Sequence, residues 1–487
     1  MKEYFVLKPK NLNLTKLVTE NKPDFKFNID FAYFFISGII EATQYELNEK
    51  EVWNPSVESC FINRDSQILQ KYNQHYNKHV KYLTSNLASD DRILWKKNYT
   101  IGKCYGYQLA PHFFRDELEI YKITDKRLLK KIMESQTLSK IDNKVKKRYN
   151  FIINYLDKDK MKIVQEEKAL EELYNDSKRK QSRQKYLSGA TSIVNIMNGK
   201  YYISHNSATD GRIHTTITNT PKILRKYIRY EREILAEVDL SSSIPFFLYY
   251  IMERAVTNRG DELSRRVSNN NLIRFMLGKA TKTLDIIEIN YFGELIMKNQ
   301  LYEALMYDFL EVHQFDPTLK PDEYFLINFK KDFGRNFDGD LDDLKKFAKK
   351  RILAMLFAET QHYIFEQAIF QKYFPTIHLF LKKYKRSIYK KLIGKGQHKK
   401  ISYLGFQIES DLMLNHIARN FNNKFKRKKI ILTIHDCLIT KKKDVEILYD
   451  FMKETFLEQI GYSPNLKIEY WEEPQIEFSS LNFQKSA

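Results

Sequence analysis

The sequence predicts an α+β protein built around a small, mostly antiparallel sheet, and three observations predict it. Strand-forming runs occur at 234–239, 430–440 and 466–471. A long basic stretch of helical patterning, 256–400, separates the first run from the second. The first two runs each carry one aspartate, Asp239 where a strand gives out and Asp436 at the tip of a hairpin. Runs of strands interrupted by a block of helices read as an α+β plan with segregated layers.

The bulk composition sets the limits. A chain of 487 residues exceeds one ordinary core, so two to four domains or subdomains are expected. Charged residues make up 29% and hydrophobic ones 43%, the balance of a water-soluble globular chain. The formal net charge of +20 points to a polyanionic partner, nucleic acid first among them. Cys60, Cys104 and Cys437 show neither metal-ligand nor disulfide spacing, which fits a reducing interior. The opening MKEYFVLKPKNLNL lacks the apolar core of a signal peptide, and the apolar run 244–252 is too short to cross a bilayer. The expectation is a cytoplasmic protein with no membrane partner.

Taken in order, residues 1–115 mix short strand-like and helical pieces with no readable chemistry. Residues 116–200 turn helical and heavily charged, with apolar residues at three- and four-residue steps in 125–136, 143–156 and 160–187. Such helices suit either a duplex or a solvated bundle. A break is expected over 188–206, at Gly189, Asn198 and Gly199. Residues 201–255 hold the first strand and a helix with Pro245 in its first turn. Residues 256–400 are helical and basic. Residues 401–487 give a helix over 406–425, the hairpin, a helix over 443–459 and the last strand.

The aspartates carry the chemistry. Asp239 precedes Ser241, Ser242, Ser243 and Pro245, so it reads either as a helix cap or as a strand-end carboxylate. Asp436 lies between Ile434 and Cys437 with no Gly, Asn or Pro to build a tight turn. A carboxylate at the end of a buried strand is costly unless paired or metal-bound. Two of them on neighbouring strands meet at the sheet rim and make an oxygen-ligand site suited to two Mg²⁺ ions, with Mn²⁺ as a substitute.

The order of segments over 201–471 resembles the family A DNA polymerases and the related single-subunit RNA polymerases. The stretch 209-TDGRIHTTITNTPKILR-225 is similar to the segment before their palm, and the likeness implies that Arg212 contacts the primer end. The stretch 237-EVDLSSS-243 resembles motif A, which implies Asp239 and the Leu240 carbonyl as metal ligands. Residues 345-KKFAKKRILAMLFAE-359 resemble the fingers helix, motif B, with Lys345, Lys349 and Phe357 over the incoming nucleotide. In 406-FQIESDLMLNHIA-418, Gln407 matches a glutamine that faces the primer–template. In 434-IHDCL-438, which resembles motif C, His435 would lie near the primer terminus and Asp436 would be the second metal ligand.

The resemblance implies a right-hand arrangement: a thumb over 116–200, a palm over 201–255 and 401–487, and fingers over 256–400. It implies template-directed 3′ extension of a nucleic acid, from a primer–template duplex or on a single strand, with nucleoside triphosphates as substrates. A protein partner stays open.

The chain also departs from the pattern. The glutamate that follows the motif A aspartate by five residues in the DNA enzymes is Ile244 here, and Cys437 takes the place after the motif C aspartate. The fingers helix lacks an arginine at its start and a glycine after its lysine. Sugar preference is therefore open between DNA and RNA synthesis, a primase-like enzyme included. The first 200 residues lack the Asp-x-Glu strand pattern of a proofreading exonuclease, so none is expected. An untemplated or protein-primed synthase and a non-catalytic nucleic-acid-binding protein with a degenerate palm remain as alternatives. A phage, a mobile element or a defence system would each suit such an enzyme.

Two basic clusters, 382–400 and 424–429, are candidate phosphate contacts. His214, His378, His398 and His416 have no metal-ligand spacing and are expected to be structural, as are Tyr227, Tyr230, Tyr249 and Tyr250. Gly394 and Gly396 do not form a phosphate loop, because the GK[ST] ending is missing.

Overall fold

The computed structural model describes residues 3–47, 60–85, 92–99, 104–136, 142–267, 272–273, 276–278, 282–387 and 396–472. Residues 388–395 of the first basic cluster, Gly394 among them, lie outside the described residues.

Six strands form the central sheet: β1 (Met161–Ile163), β2 (Ile228–Tyr230), β3 (Glu233–Leu240), β4 (Leu432–Ile434), β5 (Cys437–Lys441) and β6 (Leu466–Tyr470). Their order is β4-β5-β3-β2-β1, and β6 also pairs with β3. Every pairing is antiparallel. Strand β3 is central because β5 runs beside it over Leu235–Asp239 while β6 runs beside it over Ala236–Leu240.

The pleat sorts its side chains. Ala236 and Val238 share a face with their partners Thr440 and Leu438. Glu237 and Asp239 share the other with Ile439 and Cys437. The strand thus carries Glu237 and Asp239 on the face of Leu235, and Ala236, Val238 and Leu240 on the other.

Four helices position the site. Helix α1 (Ser243–Val256) leaves the end of β3. Helix α2 (Leu341–Phe357) belongs to the large helical insertion and starts from an Asp340 cap. Helix α3 (Lys400–Ser410) continues through a π-helical run, Asp411–Ala418, and ends in Arg419–Lys424. Helix α4 (Val445–Ile460) packs across β3, β5 and β6 through a stripe of Leu448, Met452 and Phe456, spaced at helical intervals.

The N-terminal third folds around helix Ile29–Glu46. That helix packs on helix Arg183–Asn198 and on the antiparallel pair Phe5–Pro9 and Leu118–Lys122. Buried apolar residues from Tyr4 to Trp471 form a continuous core. Among the described residues, no helix is long and apolar enough to cross a membrane.

Two expectations from the sequence are corrected. The helical reading of 160–187 breaks into β1, helix Glu166–Arg179 and the start of helix Arg183–Asn198. Met161 and Ile163 are buried around exposed Lys162, a period of two. Gln165 and Gln181, each at φ 52°, interrupt the chain before and between the helices. The region expected to be a helical thumb therefore lends an edge strand to the central sheet. The break expected from residue 188 begins only at Gly199, whose φ of 68° caps the helix. Gly189 sits mid-helix because a Cβ there would fall 2.5 Å from Leu173 Cδ2.

Candidate active site

The register of the sheet brings the two aspartates together. Asp239 stands opposite Cys437, and Cys437 pairs back to Ile434 across a two-residue turn made of His435 and Asp436. His435 takes the left-handed conformation, φ 55°, that such a turn requires. Histidine enters that region more readily than branched residues do. The hairpin thus turns without glycine and leaves a carboxylate at its tip. Ser242, three residues after Asp239, is also left-handed at φ 56° and starts α1. It makes no side-chain cap bond, so the capping role considered for Asp239 falls away: Asp239 Oδ1 instead accepts from Cys437 Sγ at 2.7 Å.

Ligand atoms of Asp239, Asp436 and Cys437 all lie within 4.8 Å of one another. Burial pushes the Asp239 carboxyl up. The Cys437 thiol opposes that shift, and the carboxylates of Asp436, Glu237 and Glu469 add to it. Burial, then Asp239 and Asp436, push the Cys437 thiol up as well. Glu237 is paired with Arg225 and Glu469 with Lys222 and Lys467, whereas Asp239 and Asp436 have no ion pair among the described residues. That is the environment a divalent ion relieves, and the two carboxylates are the hard oxygen donors it takes. Asp239 and Asp436, with Cys437 between them, are a donor set that fits a divalent ion. Leu240 pairs with Leu466 and is buried.

Around this pair lies a second, tightly bonded group. Glu409 of α3 is fully buried. Its Oε1 accepts from Arg212 Nε at 2.8 Å and from Arg212 Nη2 at 2.5 Å, and its Oε2 accepts from Ser243 Oγ at 3.0 Å. Burial raises the Glu409 carboxyl to about 7 against the pull of Arg212, and the Asp436 charge adds to the rise. The Arg212 guanidinium lies 4.0 Å from the centre of the Phe406 ring. Gln407, expected to face a primer–template, is buried and donates to Thr209 O at 2.8 Å, while its Oε1 has no protein partner. His214 bonds Asp210 at 2.8 Å and meets the His435 ring edge-on at 5.8 Å. His435 is pushed down by burial, then by the charges of Arg212 and His214, and its Nδ1 is buried without a partner.

The helix resembling motif B reaches this group at its C-terminal end. Phe357 meets Phe406 with ring centres 5.9 Å apart. Lys349 lies over the Tyr302 ring at 5.9 Å, and Tyr302 abuts Ser242. Lys345 is less available, since it is ion-paired to Glu303 at 2.5 Å. The basic clusters are also partly committed. Lys385 donates to Met355 O at 2.8 Å and Lys400 to Ser387 O; burial lowers both to about 8. Lys429 pairs with Asp444.

The structure brings Asp239, Asp436, His435, Arg212, Gln407 and Phe357 to one region. It adds Glu409, Ser243, Phe406 and the position of Cys437 between the aspartates, none of which the sequence marked. The signal for Glu409 is its place beside Ile408 in the buried stripe Ile401, Leu404, Ile408 and Leu412.

No protein-family model matches the chain, and no curated protein matches it. Among solved structures, it is similar to the POL domain of Pol1 from M. smegmatis, solved in complex with a DNA primer-template and dNTP. The likeness covers 63% of this chain and 56% of that one, at 12% identity and a TM-score of 0.35. The chain thus spans just over half the length of that neighbour.

Proposed function

We propose that this protein is a metal-dependent nucleotidyltransferase that extends a nucleic-acid 3′ end, with Asp239 and Asp436 as the metal-holding pair. The observation that carries the reading is their placement: two carboxylates from neighbouring antiparallel strands, with ligand atoms within 4.8 Å, at a strand end and a turn tip. The segment order resembling family A polymerases supports it, as does the net charge of +20.

Divalent ions held by these carboxylates would activate the attacking hydroxyl and neutralise the leaving pyrophosphate. The protein's own groups hold and orient. Asp239 and Asp436 supply the oxygen ligands, with the Leu240 carbonyl beside them. The Cys437 thiol keeps the Asp239 carboxylate turned toward its neighbour. Arg212 and His435 border the pair where a strand end would enter. Lys349 and Phe357 border it from the helical insertion, and Lys345 joins them on release from Glu303. The region over 116–200, apart from the strand β1 that it lends to the sheet, would serve as thumb and 256–400 as fingers around the palm.

The side chain five residues after Asp239 is Ile244, which offers no polar group to read a ribose hydroxyl. We therefore expect ribonucleotides and deoxyribonucleotides to be accepted with little discrimination. The test is extension of a labelled primer on DNA and on RNA templates with Mg²⁺ and either nucleotide set. The D239A/D436A variant runs in parallel. Extension by wild type alone supports the reading and reports the sugar. Binding of the duplex without extension by either protein would leave a nucleic-acid-binding protein instead.

A further inference from the structure

We propose that Glu409 is the positioning residue of this site: it clamps Arg212 so that one guanidinium nitrogen is presented, pre-oriented, to the strand that enters beside Asp436. The inference rests on the site reading above and assigns a role to a residue that lies outside the metal-holding pair.

Glu409 joins three segments of chain that meet nowhere else in sequence. Arg212 comes from the loop before the palm strands, Ser243 from the first turn of α1, and Glu409 from α3. Its two oxygens are filled by three donors, Arg212 Nε, Arg212 Nη2 and Ser243 Oγ. A fully buried carboxylate is retained at a desolvation cost only if its bonds are complete, and these are. The loop carrying Arg212 is fixed independently. Gln407 Nε2 holds Thr209 O at 2.8 Å and Ser410 Oγ holds Gly211 O at 2.5 Å, both from α3. The Phe406 ring lies against the guanidinium at 4.0 Å.

Arg212 is therefore held on its Nε edge and on its face. The remaining nitrogen, Nη1, has no protein partner among the described residues and is left for an acceptor on a ligand. Its place beside the acidic pair follows from its neighbours: His214, two residues after Arg212, meets the ring of His435 edge-on at 5.8 Å, and His435 directly precedes Asp436. A guanidinium locked this way loses little rotamer freedom on binding, which strengthens its single remaining bond. Ser243 extends the clamp to the helix that begins four residues after Asp239, so the donor and the metal-holding strand move as one body.

The experiment compares wild type with E409Q, E409D, R212Q and the E409Q/R212Q double variant, using a fluorescent primer–template duplex and Mn²⁺ as probes. Thermal unfolding first establishes that each variant is folded. E409Q keeps the shape and one acceptor but removes the charge that holds Arg212. It is expected to weaken duplex binding about tenfold, to raise KM for duplex with kcat within about threefold, and to leave Mn²⁺ affinity unchanged. R212Q should match it, the double variant should be no worse than either single one, and E409D should recover part of the loss. Wild-type duplex affinity in E409Q would overturn the proposal. So would additive losses in the double variant, or a joint loss of kcat and Mn²⁺ binding, which would make Glu409 a metal ligand. If wild type binds duplex but extends nothing, the nucleotidyl-transfer reading fails while the binding cycle still decides the clamp.

Discussion

Asp239 and Asp436 are polar groups placed where an apolar strand would be more stable, and their substitutions separate chemistry from folding. Burial and three neighbouring carboxylates disfavour the ionised form of Asp239. D239N removes that cost, so its Tm should equal or exceed that of wild type, while extension falls by roughly a hundredfold or more. Calorimetry beside a rate measurement checks both halves, and a D239N protein that melts well below wild type would show that the carboxylate is structural. Glu409 gives a pH signature. Its folded-state value, raised to about 7, lies above the ordinary carboxyl range, so the folded chain holds a proton that the unfolded chain gives up. The stability from that proton is full below about pH 4.5 and is lost as pH rises through 7. Relative to E409Q, wild type should lose stability across that window in denaturant titrations. A constant difference between the two would contradict the assignment.

At the scale of elements, the hairpin and the helix pair explain what the sequence made legible. Strands β3, β5 and β6 were readable because strand-forming residues run over five to eight positions in each. Strand β1 spans three residues inside charged surroundings, too short for a period to register. The aspartates were readable because each interrupts an apolar run. Glu409 was not, because its partner Arg212 is 197 residues away and nothing local marks the pair. The hairpin turn also has a testable backbone. His435 sits at φ 55°, so H435V, a β-branched residue forced left-handed, should cost about 1–2 kcal/mol, whereas H435G should stay within about 1 kcal/mol of wild type. Equal stabilities in urea unfolding would place the strain elsewhere. Between the helices Glu166–Arg179 and Arg183–Asn198, G189A pushes a Cβ to 2.5 Å from Leu173 and should destabilise by about 1–3 kcal/mol. G189A should cost less in an L173A background than in wild type, and a G189A protein as stable as wild type would mean the helices part without cost.

For the whole molecule, charge and topology work together. A net charge of +20 is distributed over a chain in which Lys345, Lys385, Lys400 and Lys429 are already bonded within the protein. The remaining exposed cations set the affinity for polyanions. Duplex binding should fall by about 10³-fold between 50 and 200 mM salt if six or more phosphates are neutralised, as a fluorescence titration series would read. A salt-independent affinity would argue against a backbone-tracking surface. The sheet meets the helical insertion around one acidic pair, the proposed centre of nucleotidyl transfer. The most direct measurement is single-turnover addition of one nucleotide to a labelled primer in Mg²⁺, by wild type and by D436N at equal folded concentration. Wild type should add one nucleotide and D436N none above background. Equal addition by both proteins would contradict it.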